Sequence, residues 1–367
     1  MRTSGEPVPR EADRPDDSTE LMRAAADPCI RMPPRPSTFS IAARDPETDA
    51  VGVAVQSKFV SVGAVVPFVS ADAGAVATQS FANVAYGPDG LDRLREGRDA
   101  EAVVDALTSA DDEAPSRQVG VVGLDGEPAA FTGEECHDYA GDLQGDDYTV
   151  QGNILENAET LTAMAEAFEG TDGGLPERLI AALHAGNEAG GDKRGEQSAA
   201  LYVAKPEGGY DGRNDRWIDV RVDDHDSPID ELERVFKLYD VTLLEREAPD
   251  ETRELTGEAA AAVAATLADL GFLDESDAAE TEAVEGDAAE TEAVEGDATE
   301  TDAAEDDTFG DPHREALETF RGVNNFENHP VPVLEDAIAR GWADAEGEGE
   351  DRLVDAVWHG LSRLDRV

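Results

Sequence analysis

A period of two runs through residues 38–57, TFSIAARDPETDAVGVAVQS, and limits the chain to folds that open on a strand pair. Phe39, Ile41 and Ala43 fall on one face of a strand and Ser40 and Ala42 on the other, and Val51, Val53 and Val55 resume the alternation after DPETDA. Asp45 and Pro46 bring turn chemistry, since proline pre-sets one backbone angle and aspartate bonds its own backbone; a β-hairpin is predicted. The hairpin starts only after 37 residues. Those residues, MRTSGEPVPREADRPDDSTE and RMPPRP among them, are rich in proline and charge without sustained periodicity. Residues 1–37 are therefore predicted to be a disordered extension.

From Thr38 to about Asp240 the texture is strand-rich. VATQSFANVAYGPDG reads as a buried strand running into a turn, and GLDRLREGRDAEAVVDALTSAD as one helical stretch. RQVGVVGLDGEPAAFTG reads as a second hairpin turning at Asp125-Gly126, and YTVQGNIL as a strand ending in a loop. NAETLTAMAEAFEG and LPERLIAALHAGNEAG carry helical spacing. SAALYVAKPEG and RWIDVRVDDH return to strands, and SPIDELERVFKLYDVTLL opens a helix capped by Asp226 or Ser227. Hairpins around a central helix pair indicate an α+β fold.

Beyond Glu245 the chain changes character. TGEAAAAVAATLADLGF is predicted to be a helix capped by Thr256. The unit AAETEAVEGD then occurs at 278–287 and 288–297 and decays into ATETDAAEDD. One valine and scattered alanines per unit offer nothing to bury, so an acidic, solvated linker is expected over 274–307 rather than a solenoid. Folded texture resumes at FGDPHREALETFRGVNNFENH.

The charge excludes several function classes. Against 84 acidic residues stand 29 basic ones, a net charge of -55, and lysine occurs only at Lys58, Lys193, Lys205 and Lys237. A surface of this kind repels itself unless salt screens it, and near 1 M salt the screening length falls to about 3 Å, so a halophilic source is expected. Neutralising phosphates takes clustered lysine and arginine, which the chain lacks, so neither nucleic acid nor an anionic membrane is expected as partner. With no 18-residue apolar run and no hydrophobic core at the N-terminus, a cytoplasmic protein is expected. Cys29 and Cys136 make neither a disulfide framework nor a zinc site, CxxC and HExxH are missing, and neither metal nor cofactor is expected.

GxSxG, the Walker A loop and a GxGxxG after a strand are missing too. His225, beside Asp223, Asp224 and Asp226, is either a metal or triad candidate or, more commonly in such a cluster, part of a strand end that caps the next helix. Cys136 has nothing beside it to lower its pKa and reads as a small loop hydrophobe. What remains is a set of polar islands in apolar strands: Thr38, Ser57 and Lys58 in QSKF, Gln79, Ser80 and Asn83 in ATQSFAN, Gly152 and Asn153 in QGN, and Asp192, Arg194 and Gln197 in GGDKRGEQSAAL. Polar groups buried in strands must be hydrogen-bonded, so each is structural or belongs to a site.

In this order the islands resemble the family called domain of unknown function 1028. The segments TFSIAARDPETDAVGVAVQSKFVSVGAVVP, GAVATQSFANVAYGPDGL, RQVGVV, AAFTGEEC, VQGNIL, GGDKRGEQSAALYV and NDRWIDVRVDDH carry the likeness across residues 38 to about 240. The resemblance implies the N-terminal nucleophile hydrolase superfamily and a four-layer αββα sandwich. Members commonly begin Met-Thr-Phe-Ser, and the matching threonine is Thr38. A threonine that heads its chain has its own α-amine, of pKa about 8, as general base. In that reading Lys58 lowers the amine's pKa, Ser57 relays the proton, and the Gly152 N–H or the Asn153 side chain supplies an oxyanion hole. Gln79, Ser80, Asn83, Asp192 and Arg194 would contact substrate, Arg194 through its planar fork, unless Arg194 pairs with Asp192 to fix a glycine-rich loop.

Here Thr38 follows Ser37 and the extension, so the base exists only if the Ser37–Thr38 bond is cut. Maturation, a misassigned start and a domain that no longer catalyses stay open. Residues 241–367 resemble, less specifically, the peptidoglycan-binding domain often attached to this family, a small helical bundle that the acidic linker would interrupt. The function expected is hydrolysis of an unknown amide by Thr38, on a small-molecule or peptide-like substrate. The alternative is a non-catalytic small-ligand-binding or scaffolding protein of the same fold, and a homo-oligomer stays open in both.

Overall fold

The computed structural model describes residues 38–136, 139–244, 246–247, 249–278, 309–364 and 366. The expected disordered extension, 1–37, and the greater part of the expected acidic linker, 279–307, lie outside the described residues. The chain is mixed α and β, with two antiparallel sheets and helices against them. The larger sheet is built from β1 (Thr38–Asp45), β2 (Ala50–Ser57), β7 (Gly141–Gln144), β8 (Tyr148–Asn153), β9 (Ser198–Ala204) and β10 (Arg216–Val222), in the order β10-β9-β2-β1-β8-β7. The smaller runs β3-β4-β5-β6, from β3 (Pro67–Ser70), β4 (Gly74–Ser80), β5 (Arg117–Gly123) and β6 (Ala129–Thr132).

The predicted hairpin is present, with Thr38 opposite Ser57 and Asp45 opposite Ala50. Its alternation has a stronger meaning than a half-buried strand, because β2 is buried on both faces. Phe39 and Ile41 pack with Ala54, Val150, Met164, Phe168, Leu179 and Leu183, residues of β2, β8 and the helices α3 (Glu159–Gly170) and α4 (Leu175–Glu188). Ala42, Val53 and Val55 face the other way, onto Val69, Ala75, Ala77 and Val122 of the smaller sheet. The outer face of that sheet, Val76, Val119 and Val121, is covered by Leu91 and Leu94 of α1 (Tyr86–Arg95) and Val103 and Leu107 of α2 (Ala100–Ser109). The stretch read as one helix over 90–111 is thus two. Gly97, at φ 81°, takes a left-handed turn that ends the first, and the Asp99 side chain caps the second by accepting from the Ala102 N–H at 2.7 Å.

The C-terminal helices, α6 (Gly257–Asp269), α7 (Asp311–Val323), α8 (Val331–Gly341) and α9 (Gly349–Leu361), surround their own core, which includes Leu267, Phe309, Phe320, Phe326, Leu334, Ile338 and Val357. Helix α5 (Pro228–Leu243) serves both cores, Phe236 in the first and Val241 in the second, so a boundary after residue 240 falls inside one helix. Its predicted cap differs in detail. Ser227 makes no side-chain cap bond; instead its N–H donates to His225 Nδ1 at 3.0 Å. His225 therefore shapes the turn into α5, and no metal-holding group of His, Cys, Asp or Glu exists among the described residues. Nor is any described helix long and apolar enough to cross a membrane.

Between α4 and α5, His184 Nε2 meets Glu233 Oε2 at 2.7 Å. That hydrogen bond pushes the imidazole above its ordinary value of 6.5 and, with Lys237 assisting, brings the Glu233 carboxyl down to about 2. The histidine contribution is complete below pH 6.5 and is lost as pH rises through its folded value. The glutamate contribution is complete above pH 4.5 and is lost as pH falls toward about 2. Replacing His184 by glutamine should cost about 0.5–1 kcal/mol between pH 4.5 and 6.5, with the gap closing above that window. Urea midpoints of both proteins across pH at fixed ionic strength measure it.

Candidate functional site

The hairpin register and the β1–β8 register together set Thr38 between Ser57 on one neighbouring strand and Asn153 on the other. All three belong to the alternation that faces the smaller sheet. Thr38 Oγ1 and Ser57 Oγ are 3.1 Å apart, a hydroxyl pair in which either can donate. The Thr38 carbonyl accepts from Asn153 Nδ2 at 3.4 Å and from Gln79 Nε2, across the sheet interface, at 3.3 Å. Thr38 is 2% exposed and Ser57 and Asn153 are fully buried, so this is an internal polar cluster.

Gln118 on β5 is its hub. Gln118 Oε1 accepts from Gln79 Nε2 at 2.8 Å and Asn153 Nδ2 at 3.1 Å, while Gln118 Nε2 donates to Gly152 O at 2.9 Å, Gly141 O at 3.0 Å and Thr132 Oγ1 at 2.9 Å. The Thr132 hydroxyl passes on to Asp142 at 2.5 Å. One layer further in, Ser40 Oγ donates to Gln79 Oε1 and accepts from Gln151 Nε2, both at 2.6 Å. Carboxamides neither take nor give up a proton at ordinary pH, so the network orients donors and acceptors; among the described residues the hydroxyl it places beside that of Thr38 is Ser57's.

Of the predicted site residues, the structure therefore brings together Thr38, Ser57, Gly152, Asn153 and Gln79. Gly152 enters through its carbonyl, and it pairs with Phe39 on one side and Gly141 on the other. Lys58 follows Ser57 directly, but its ammonium donates to Glu196 O at 2.6 Å. Its N–H is held by Asp192 Oδ2 at 2.8 Å, and Asp192 Oδ1 accepts from the Arg194 N–H at 2.8 Å. The Arg194 guanidinium lies 3.4 Å from the same fully buried carboxylate. Asp192 and Arg194 thus make the loop-fixing pair, clasping the end of β2.

Ser80 and Asn83 stand in a different cluster. Ser80 ends β4 with φ 65° opposite Arg117, and Asn83 Nδ2 donates to Asp111 Oδ2 at 3.0 Å. Burial works to raise the Asp111 carboxyl, but hydrogen bonds from Arg117, the Glu113 N–H, Asn83 and Tyr86 outweigh it and hold the group well below the usual carboxylate range. Cys136, half-buried, points its thiol at Arg117 O, 3.3 Å away.

Sequence reasoning missed Ser40, Gln118, Gln151, Thr132 and Asp142. The signal was present in ATQS, RQVG and VQGN, each with one glutamine in an otherwise apolar strand. Gln79 and Gln118 meet directly, and Ser40 links Gln79 to Gln151.

Residues 38–232 match the model of a family described as Family of unknown function (DUF1028). A crystal structure of a protein from Silicibacter pomeroyi of the same family is similar at 36% identity and a TM-score of 0.51, covering 56% of this chain and 89% of that one. No curated protein matches the chain. With the model spanning more than half of its length, this chain belongs to the family of unknown function DUF1028.

Proposed function

We propose that the protein is an N-terminal nucleophile amidohydrolase in which Thr38, freed by cleavage of the Ser37–Thr38 bond, attacks an amide. The observation that carries this reading is the register, which makes Thr38 the first residue of a central strand with Ser57 and Asn153 on either side. Two antiparallel sheets packed face to face with helices outside are what a four-layer αββα sandwich of that superfamily requires, and they support the reading. In the intact chain the Thr38 nitrogen is an amide and cannot accept a proton. After cleavage the new amine would lie on the same residue as Oγ1, with Ser57 Oγ 3.1 Å from that hydroxyl to carry the proton onward. Asn153 Nδ2, oriented by Gln118, would serve as the oxyanion donor by giving up its hydrogen bond to the Thr38 carbonyl. Lys58, tied to the Glu196 carbonyl, would support the strand end and reach the amine only by turning. The C-terminal helices, with a core of their own, would act as a recruiting module, in keeping with their peptidoglycan-binding-like sequence.

The burial of Thr38 favours one competing reading, a small-ligand-binding or scaffolding protein that keeps the bond intact. Intact mass and N-terminal sequencing of protein purified from cells grown in molar salt separate the two. A chain beginning at Thr38, and its loss in Thr38→Ala, is the expected result. A wild-type chain that keeps residues 1–37 throughout overturns the hydrolase reading.

A further inference from the structure

On the helix side of the larger sheet one buried polar side chain is handled unlike the rest. Gln56 is the next-to-last residue of β2, opposite Phe39 of β1 and Ala199 of β9, and is fully buried. Its neighbours on that face, Phe39, Ala54, Ala199 and Leu201, belong to the apolar core beneath α3 and α4. Neither Gln56 Oε1 nor Gln56 Nε2 has a hydrogen-bond partner among the described residues, which include both flanking strands and both helices. The other buried glutamines, Gln79, Gln118 and Gln151, are bonded through both the oxygen and the nitrogen of the carboxamide.

A carboxamide shut away without a partner loses its hydration and gains nothing in return, so this one calls for a companion that both donates and accepts. Ala54 and Ala199 each end at a methyl group, and the longer Gln56 chain carries its amide past them, into the layer where β2 meets α4. The side chains of that layer are apolar, and an ion among them would be worse off than the amide itself. A small neutral molecule suits both needs. The oxygen and one N–H of a primary amide point the same way, so a single water accepts from Nε2 and donates to Oε1 in one ring.

We propose that Gln56 anchors an internal water between β2 and the helix layer. Because side chains alternate along the strand, this site lies on the opposite face of the sheet from the Ser57 hydroxyl and is independent of any reaction at Thr38. A crystal structure of the full chain, at a resolution that shows ordered solvent, tests it directly. One enclosed water within about 2.7–3.2 Å of both Gln56 Oε1 and Gln56 Nε2 is the expected result. A Gln56 carboxamide with no water beside it, or one bonded instead to a protein atom, overturns the proposal. Relaxation dispersion of the solvent, which counts waters held longer than the protein takes to tumble, gives a second reading in solution. Gln56→Met keeps the length of the side chain and removes its polar end, so the count of long-lived internal waters should fall by a single molecule relative to wild type. An unchanged count would show that no water is anchored there, and the proposal would fail.

Discussion

Asp240→Ala should be the most damaging single substitution outside the strands, with an expected loss of about 3–5 kcal/mol of folding stability. The Asp240 side chain is fully buried and accepts from Arg246 Nη2 at 2.5 Å, Arg366 Nη2 at 2.7 Å and Trp358 Nε1 at 3.0 Å. Burial pulls the Arg246 guanidinium down, and Asp240 is the first influence opposing it. Without the carboxylate, two guanidiniums with side chains 6% and 11% exposed would face each other in a medium that solvates neither. Arg366 would keep Glu177, whose carboxylate it grips with both of its terminal nitrogens. Among the described residues Arg246 would keep only the Leu364 carbonyl, 3.2 Å from its Nη1. The double variant Asp240→Leu with Arg246→Met should therefore recover most of the loss, because it strands no charge. Chemical denaturation of the three proteins decides the matter, and a single variant as stable as wild type would show that the network contributes nothing. Such a buried network also escapes the salt screening that weakens ion pairs on a surface this acidic.

Gly120→Ala is the second, with an expected loss of about 2–4 kcal/mol from overpacking and broken hydrogen bonds. Gly120 lies on β5 opposite Ala77 and Ala130 and faces the other sheet. A Cβ added there would sit 2.2 Å from Gln151 Oε1 and 3.0 Å from Thr149 Cγ2. Gln151 cannot swing aside cheaply: its amide nitrogen donates to Ser40 and its oxygen accepts from the Thr149 hydroxyl at 2.8 Å, all inside the sheet interface. Displacing it also removes the donor that Ser40 accepts while holding Gln79, so the disturbance reaches the Thr38 carbonyl in two steps. Combining Gly120→Ala with Gln151→Ser should restore space and part of the stability. Thermal and urea midpoints measure both, and a neutral Gly120→Ala would mean that the sheets separate more easily than their packing suggests.

Local patterns carried much of this architecture. The hairpin at 38–57, the turn at Asp125-Gly126, where glycine takes φ 74°, and the helices over 159–170 and 175–188 follow from periodicity and turn chemistry alone. The short strand Gly141–Gln144 went unseen because its GDLQ has no apolar alternation; it exists only by pairing with β8. The same limit applies to the polar cluster. Thr38, Ser57 and Asn153 stood out as hydrophilic residues in apolar runs, whereas the central part of Gln118 depends on a meeting of two sheets that no local pattern encodes. Asp192 and Arg194, marked in the sequence as either substrate contacts or a loop-fixing pair, are seen to pair with each other, with Asp192 also holding the Lys58 N–H at the end of β2.

The position of β1 has a mechanical corollary. Seated inside the larger sheet, it is laced to β2 over residues 38–45 and to β8 over 38–43, so its foothold owes nothing to the covalent link on its upstream side. Severing the backbone there would free an end without freeing a strand, because the pairing to both neighbours begins at the severed residue itself.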